Sequence, residues 1–296
     1  MHVSEKNPAE FCISGTKFEA PPLAPGLYVV ATPIGNLRDI TIRALQTLAA
    51  VDMVLCEDTR QSARLLEHYL IKTQRIALHE HNERAKTPII VQKLKQGAAI
   101  ALISDAGTPL LSDPGFPLVR AVREAGLEVF ALPGASALLG ALATAGLPTD
   151  RFTFIGFLPP KQMARAAVLD GVASGSETLV FYESSRRLPA TISAMIKSFG
   201  QNRPAAIALE LTKKFERTLT GTLGELAQNL EQTPPRGEAV VLVGGAPDVE
   251  LDEEIWLAAL GDALKENPLR SAVDEISTRF KLRRKQVYDA ALKLKS

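Results

Sequence analysis

The chain has 296 residues, and its 34 lysines and arginines against 33 aspartates and glutamates give a formal net charge of +1. Hydrophobic residues at 46% and charged residues at 23% are ordinary globular values, which exclude long disorder, collagen-like repeats and coiled coil. No apolar run reaches the roughly 18 residues of a membrane span. Cys12 and Cys56 are too few for a disulfide framework and favour a reducing, cytoplasmic compartment. The small net charge speaks against a nucleic-acid partner unless cations cluster locally.

The order of predicted elements divides the chain into four parts. Prolines and a glycine just before residue 27 predict a flexible tail over 1–26. Short apolar strands alternate with helices over 27–148, a pattern typical of a mainly parallel sheet covered on both faces. The alternation restarts over 149–247 as a smaller mixed α/β domain, in which 215–223 is predicted to form an antiparallel edge strand. Residues 248–296 are predicted to be all helical.

Four loops that leave predicted strand ends contain more glycine and proline than plain connections need. In open α/β sheets, ligands bind beyond the carboxyl ends of the strands. Glycine allows the backbone to approach a ligand, and proline fixes the shape of a loop. These loops, which could also be ordinary turns, are Thr32-Pro33-Ile34-Gly35-Asn36, Ser104-Asp105-Ala106-Gly107-Thr108-Pro109, Ser112-Asp113-Pro114-Gly115 and Pro133-Gly134-Ala135-Ser136-Ala137.

The residues of these loops exclude some classes of ligand. The chain has no GxxxxGK[ST] motif and no GxGxxG after its first predicted strand, which argues against a P-loop and against a dinucleotide site. All four loops also lack a basic residue that could hold a phosphate. A ligand with an adenosine or amino-acid part but no phosphate fits these loops, and S-adenosylmethionine is such a ligand.

Seven motifs in fixed order resemble those of the tetrapyrrole methylase superfamily, and specifically its branch that methylates small-subunit ribosomal RNA. The resemblance covers roughly residues 25–245 and extends to the helical end. It implies two α/β domains with S-adenosylmethionine in the cleft between them, usually in a homodimer. It also implies 2′-O-methylation of a cytidine ribose in 16S ribosomal RNA, near the decoding centre. The motifs are TPIGNLRDIT, CEDTR, SDAGTPLLSDPG, PGASA, GFLPPK, FYESSRR and ELTKKFE.

The resemblance also implies a set of cofactor contacts. Two positions depart from the porphyrin-methylating relatives, because Asn36 stands where their first loop has an acid and Glu183 stands where their second-domain strand usually has methionine. Both departures argue against a porphyrin as the substrate. The implied contacts are Pro33, Ile34, Gly35, Ile103, Ser104, Asp105, Thr108, Ser136, Ala137, Glu183, Leu211 and Ala239.

Methyl transfer to a ribose hydroxyl calls for few catalytic groups. Positioning of the reacting atoms supplies much of the rate, while a base or a charge can assist the poorly nucleophilic hydroxyl. Each candidate could equally be a surface ion pair or a loop-ordering group. Asp58, Arg60 and Lys161 are predicted to act on the substrate; other candidates are Glu57, Glu183, Glu210 and Lys213.

His79, Glu80, His81 and Glu83 lie close together in the chain and are of residue types that can bind a metal ion. If this segment were extended, His79 and His81 would share a face. No third histidine lies nearby, and no CxxC or HExxH pattern supports a site. We therefore predict no metal, and we assign the segment to substrate contact or loop structure.

Cations cluster at the C-terminal end. Residues 279–295 carry an excess of six positive charges. They comprise the last predicted helix and the short connection before it, which resembles a helix-turn-helix. Such a run is often a solvated helix face, but clustered cations also release counterions when they bind RNA. Beside a core that resembles an RNA methylase, we predict RNA contacts from Arg283, Arg284 and Lys285, and from Arg186 and Arg187 in the second domain.

Two other functions remain open from the sequence. One is a porphyrinogen C-methyltransferase of the same fold, against which the basic end and the PIGN loop count. The other is a nucleic-acid-binding regulator that senses a cofactor without catalysis. The leading hypothesis is an S-adenosylmethionine-dependent 2′-O-methyltransferase that acts on 16S ribosomal RNA or the small ribosomal subunit.

Overall fold

The N-terminal segment is structured, which corrects the prediction of a flexible tail over 1–26. The computed structural model describes residues 9–233, 235–247, 253–280 and 282–295, so residues 1–8 of that prediction lie outside the described part. Strands β1 (Glu10–Ile13) and β2 (Thr16–Glu19) form an antiparallel hairpin. Phe11 is buried in the first core, and the Cys12 N–H donates to the Tyr69 carbonyl at 2.8 Å. Burial of this aromatic ring holds the hairpin on the domain.

The first sheet is entirely parallel, as the alternation of strands and helices predicts. Its strands lie in the order β5-β4-β6-β3-β7, with apolar clusters on both faces. The strands are β3 (Gly26–Val30), β4 (Met53–Cys56), β5 (Arg75–Ala77), β6 (Ala99–Leu102) and β7 (Val129–Leu132). The helices are α1 (Ile42–Ala50), α2 (Thr59–His68), α3 (Glu80–Lys95), α4 (Phe116–Glu124) and α5 (Ala137–Thr144), with a 3-10 turn at Leu37–Asp39.

The second sheet is mixed, with the order β11-β10-β12-β9-β8. Only β8 and β9 pair in parallel, and β11 is the predicted antiparallel edge. The strands are β8 (Phe152–Phe157), β9 (Thr178–Ser184), β10 (Pro204–Leu209), β11 (Arg217–Thr222) and β12 (Glu238–Val243). The helices are α6 (Gln162–Val172), α7 (Leu188–Phe199) and α8 (Leu223–Gln232).

Helix α5 joins the two α/β halves, although it belongs to the first of them by sequence. Its Leu138 and Ala141 pack against Val180, Ala206 and Val240 of the second sheet. The two halves therefore share one apolar cluster, and the described residues up to Gly245 form a single compact unit.

The remaining unit, residues 246–296, contains three helices in its described part, as predicted: α9 (Glu253–Glu266), α10 (Leu269–Arg279) and α11 (Arg284–Lys295). It has a core of its own, in which Trp256, Leu260, Val273, Ile276 and Val287 are buried. Across both units, none of the described helices has the length and apolar character that crossing a bilayer requires.

Candidate active site

A cavity of about 350 Å³ lies between the two halves of the first unit, a size within the usual range for small-molecule sites. Its walls come from the loops after β3, β6 and β7 and from the ends of β9, β10 and β12. Seven of the twelve predicted cofactor contacts line it: Ile34, Asp105, Thr108, Ala137, Glu183, Leu211 and Ala239. The other lining residues are Ala106, Gly107, Leu111, Ser112, Asp113, Phe157, Tyr182, Ser184, Ala208, Glu210, Lys213, Glu238 and Val240.

Backbone hydrogen bonds fix the loops of the first half. Thr32 and Gly107 exchange backbone hydrogen bonds at 2.9 and 3.0 Å, which ties the loop after β3 to the loop after β6. Gly107 has φ +78°, a conformation that L side chains rarely adopt, and its Cα faces Ile34. Two glycine-rich segments that are distant in the sequence thus form one wall of the cavity.

The five predicted contacts that do not line the cavity support its walls. The Ser104 hydroxyl donates to the carbonyls of Ala106 and Gly107, and the Ile103 N–H donates to the Leu55 carbonyl at 2.9 Å. The Ser136 side chain caps α5. The rest of this group, Pro33 and Gly35, flanks Ile34 in the chain, and a side chain at Gly35 would collide with Lys213.

Strand register brings the residues of the second half together. Ala239 of β12 lies opposite Glu183 of β9 and opposite Leu209 of β10, so the ends of three strands meet at the cavity. The carboxylate of Glu183 is already occupied by protein donors. It accepts from the Ser184 N–H at 2.8 Å and from the Thr191 hydroxyl at 2.7 Å, and the Arg187 guanidinium lies 3.3 Å away.

The lining is strongly acidic, with five carboxylates and one ammonium group. Lys213 bonds both Glu210 and Glu238 at 2.9 Å. Burial opposes ionisation of Glu210, but Lys213 and the Glu238 N–H outweigh burial and hold the pKa of Glu210 below its usual value. The other lining carboxylates are Asp105, Asp113 and Glu183.

Asp105 and Asp113 have raised pKa values. Burial is the largest cause for Asp105, partly offset by the hydrogen bond that its Oδ1 accepts from the Asp58 N–H at 3.1 Å. Burial, reinforced by repulsion from Glu57, raises the pKa of Asp113 to about 6. The pKa of Asp113 therefore lies close to neutral pH, where a carboxylate becomes an effective proton acceptor.

None of the three predicted catalytic residues lines the cavity, so their action on the substrate stays a prediction. Asp58 caps α2 through the Arg60 N–H, and its carboxylate pairs with the exposed Arg60 guanidinium at 2.8 Å. The Arg60 contacts lower the pKa of Asp58 to about 2, too acidic for a base at neutral pH. Lys161 is exposed at the start of α6.

Arg186 and Arg187 differ in their surroundings. Arg186 is exposed, as a contact to RNA requires. Arg187 donates to the Leu158 carbonyl at 2.6 Å besides pairing with Glu183. The Arg187 side chain therefore holds the strand ends of the second half, and its contact with RNA stays a prediction.

The segment at His79 is helical rather than extended. His79 is the N-cap of α3, so His81 is the second residue of the helix. Glu83 is buried, and its carboxylate accepts the Leu118 N–H at 3.1 Å. Within the described residues, no group of three or more ligating side chains forms a metal site.

The other three basic residues predicted to contact RNA lie at the start of α11 and are exposed. Arg284 pairs with Asp274 of α10 at 2.6 Å. Arg283 and Lys285 are exposed beside it.

Comparison with known proteins identifies the family. A model of the Tetrapyrrole (Corrin/Porphyrin) Methylases matches residues 26–227. A Haemophilus influenzae protein named ribosomal RNA small subunit methyltransferase I is 47% identical over 90% of this chain and 96% of its own. A Mesorhizobium japonicum protein of the same name is 46% identical over 96% and 97%. The chain belongs to this methyltransferase family. The predicted resemblance is therefore confirmed.

The C-terminal unit and the fold match known proteins as well. A model of the RsmI C-terminal HTH domain matches residues 249–295. Uroporphyrin-III C-methyltransferase from Thermus thermophilus, solved with S-adenosylhomocysteine, superposes with a TM-score of 0.53 at 18% identity, over 74% of this chain and 97% of its own. Diphthine synthase gives 0.57 at 13% identity, over 74% and 89%. At these identities the likeness shows the fold alone, and the predicted fold class is confirmed.

The sequence indicated the loop of Ser112 and Asp113 as a ligand loop, but neither residue, nor Tyr182, was assigned to the site. The signal was present, because the Ser112-Asp113-Pro114-Gly115 loop and the FYESSRR motif both stand out in the sequence. The sequence does not show in which direction this loop and the side chains at the end of β9 point.

Proposed function

We propose that this chain transfers the methyl group of S-adenosylmethionine to the ribose 2′-hydroxyl of a cytidine in 16S ribosomal RNA. The observation that carries the proposal is the 47% identity, over 90% of the chain, to a protein named ribosomal RNA small subunit methyltransferase I. The cytidine and the 2′-oxygen come from the resemblance of the motifs to that branch of the family.

The cavity suits this methyl donor. S-adenosylmethionine carries a sulfonium and an ammonium against one carboxylate, so it is a net cation. Apart from Glu183, which pairs with Arg187, the lining offers four carboxylates against Lys213. Opposite charges attract strongly where water is partly excluded. The four loops also lack a cation that would favour a phosphate. Cavity charge and loop composition thus support the same ligand.

Residues of both halves would hold the donor. Asp105 offers a carboxylate to a hydroxyl or ammonium group. Ile34 and Leu211 offer apolar contact, and Ala137 and Ala239 leave room because their side chains are small. When bound, S-adenosylmethionine supplies an activated methyl group. The protein has to orient it, exclude water and accept one proton.

The proposed function predicts where a labelled methyl group goes. We expect incubation with methyl-labelled S-adenosylmethionine and small ribosomal subunits to put label on a cytidine 2′-oxygen. The position is read by nuclease digestion and mass spectrometry of the nucleosides. Naked 16S RNA and a porphyrinogen serve as competing acceptors. Label on the macrocycle would contradict the proposal, and so would tight RNA binding without any label.

We predict that the exposed cations of α11 contribute to RNA affinity. The variant Arg283→Ala/Arg284→Ala/Lys285→Ala should bind small subunits more weakly and with less salt dependence. Removing one cation from a phosphate lowers the slope of log K against log salt by about one, so the slope should fall by up to about three. Filter binding across a salt series measures both quantities.

A control variant with the same change in net charge shows whether RNA affinity depends on the clustered cations or on the total charge. Lys72, Lys93 and Lys95 are exposed on the first half, and replacing all three with alanine also removes three charges. We expect this variant to keep most of the RNA affinity. Equal weakening in both variants, or undiminished affinity in the first, would exclude a dedicated role of α11 in RNA binding.

We also propose that the chain works as a homodimer in the cytoplasm, as the resemblance implies. Both cysteines are free thiols, in keeping with a reducing compartment. Large apolar side chains, among them Met163, Phe116 and Phe215, remain exposed on the single chain, where contact with a second copy would remove them from water.

A further inference from the structure

Two aromatic side chains line the cavity in the part of the chain that the structure describes, Phe157 and Tyr182. Tyr182 is half-buried, whereas Phe157 is 57% exposed. Phe157 is the last residue of β8, and it lies opposite Tyr182 in the parallel pair of β8 and β9. The Phe157 side chain therefore stands at the rim of the cavity, where it belongs to the lining and is also open to solvent.

The backbone on either side of Phe157 is held in place. Gly156, at a bulge in β8, is seated against the loop after β6, because a Cβ atom there would lie 2.9 Å from the Ser112 Oγ. On the other side, Leu158 is buried, and its carbonyl accepts from the Arg187 guanidinium at 2.6 Å. The Phe157 ring is thus exposed on a fixed backbone.

Neighbouring rings hold the Phe157 side chain itself. The ring centroids of Phe157 and Tyr182 lie 5.6 Å apart, with an interplanar angle of 62°. Tyr182 in turn packs against Phe154, with centroids 4.9 Å apart. Such edge-to-face pairs are a favourable arrangement of aromatic rings. These contacts support Phe157 and still leave more than half of its surface uncovered.

The first half places a second apolar side chain at the same part of the rim. Leu111 lines the cavity and is 36% exposed. It directly precedes Ser112, and Phe157 directly follows Gly156, the two residues at which the halves lie against each other. The rim therefore carries one exposed apolar side chain from each half, on either side of a single contact.

The sign of the charge changes between the cavity and its rim. The lining carries five carboxylates and the ammonium group of Lys213. Outside the lining, exposed cations follow the two strands that end beside Phe157, Lys161 after β8 and Arg186 after β9. Cations bind RNA phosphates, and carboxylates repel them. This arrangement favours an RNA strand that runs along the rim with its phosphates outside the cavity.

A ribose hydroxyl reaches a methyl donor in the cavity only if its nucleotide leaves the RNA stack. Enzymes that modify a single base turn it out of its stack and hold it between aromatic or apolar side chains. Stacking of a base on an aromatic ring is also a main source of affinity for single-stranded nucleic acid. Phe157, together with Leu111, offers such a surface between the acidic cavity and the exposed cations.

We propose that Phe157 is the stacking platform for the base of the target cytidine, an inference that rests on the proposed function. The base lies on the Phe157 ring and contacts Leu111. The ribose of the same nucleotide then enters the cavity, while the flanking phosphates stay at the rim. Two other occupants of this surface, the adenine of the donor and a second copy of the chain, are distinguished by the tests.

The first test compares flat with branched side chains at position 157. Phe157→Ala should lower kcat/KM on small ribosomal subunits about 5- to 150-fold, the equivalent of the 1–3 kcal/mol that one base–aromatic stack contributes. Most of the change should be in KM, because a stack formed on binding persists in the transition state. Phe157→Leu, which is apolar but not flat, should resemble Phe157→Ala, whereas Phe157→Tyr should keep most of the activity.

Donor binding and a second phenylalanine serve as controls. The Kd for S-adenosylmethionine, measured by calorimetry, should stay within about threefold in Phe157→Ala. Phe152→Ala changes the first residue of the same strand, which is 41% exposed and lies outside the cavity lining. This variant should keep the wild-type kcat/KM.

A photocrosslink identifies what lies on position 157. Phe157 is replaced with p-benzoylphenylalanine, which keeps an aromatic ring, and the protein is irradiated with small ribosomal subunits. Primer extension should locate the crosslink at the nucleotide that receives the methyl group or directly beside it. The same replacement at Phe152 should give no crosslink there. If Phe157→Ala does not fold, this measurement decides.

Other outcomes overturn the inference. A loss of donor affinity as large as the loss of kcat/KM would assign the ring to the adenine of the donor. A crosslink to a second copy of the chain, or to RNA far from the methylated nucleotide, would exclude the stack, and so would wild-type activity in Phe157→Leu. Failure of the proposed function is distinct, because the wild-type protein would then put no label on ribose.

Discussion

Replacing Ala137 with phenylalanine is expected to reduce S-adenosylmethionine affinity at least about 100-fold, or roughly 3 kcal/mol. Ala137 is the first residue of α5, is half-buried and lines the cavity. A benzyl side chain there would occupy space that the donor needs. Because the position is partly open to the cavity, the larger side chain need not enter the shared apolar cluster. Calorimetric titration measures the affinity, and circular dichroism confirms the fold.

The matched control for this steric block is Leu139→Phe. Leu139 lies two residues along the same helix and is 58% exposed, outside the cavity. We expect this variant to bind the donor as the wild type does. Undiminished affinity in Ala137→Phe would show that the donor binds elsewhere.

The second large effect concerns stability. We expect Glu183→Ala to lower the free energy of unfolding by about 3 kcal/mol, because it leaves the Thr191 hydroxyl and the Arg187 guanidinium without their partner. The Glu183 side chain is 1% exposed, so water cannot replace its oxygens freely. Glu183→Gln, which keeps an acceptor oxygen but loses the charge, should cost less. Urea unfolding followed by circular dichroism measures both variants.

Glu124→Ala is the matched control for Glu183→Ala. Glu124 also pairs with an arginine four positions away, Arg120, but both side chains are more than 60% exposed. Exposed pairs of this kind contribute about 0–1 kcal/mol. A similar loss of stability in both variants would mean that burial of Glu183 adds nothing.

The site could be predicted from the sequence where a residue lies at the end of a strand. Ile34 and Asp105 follow apolar runs, and the carboxyl ends of parallel strands meet at one edge, so both reach the cavity. The pairing of Asp58 with Arg60 outside the cavity could not be predicted, for a local reason. The carboxylate of the N-cap Asp58 accepts hydrogen bonds from the backbone and the side chain of Arg60, the second residue of the helix. The sequence alone does not distinguish such a paired carboxylate from a free one.

By itself, the sequence determined the parallel and mixed sheets, the antiparallel edge at β11, the helical end and the motifs that mark the family. These depend on periodicity, turn residues and local order, which are properties of short segments. The tertiary structure alone decided that α5 packs on the second sheet, that Arg187 is bound by Glu183 and Leu158, and that Asp113 faces the cavity. Burial and pairing depend on which segments meet. Residues far apart in the chain, such as Ser112 and Gly156, lie next to each other only in the folded protein.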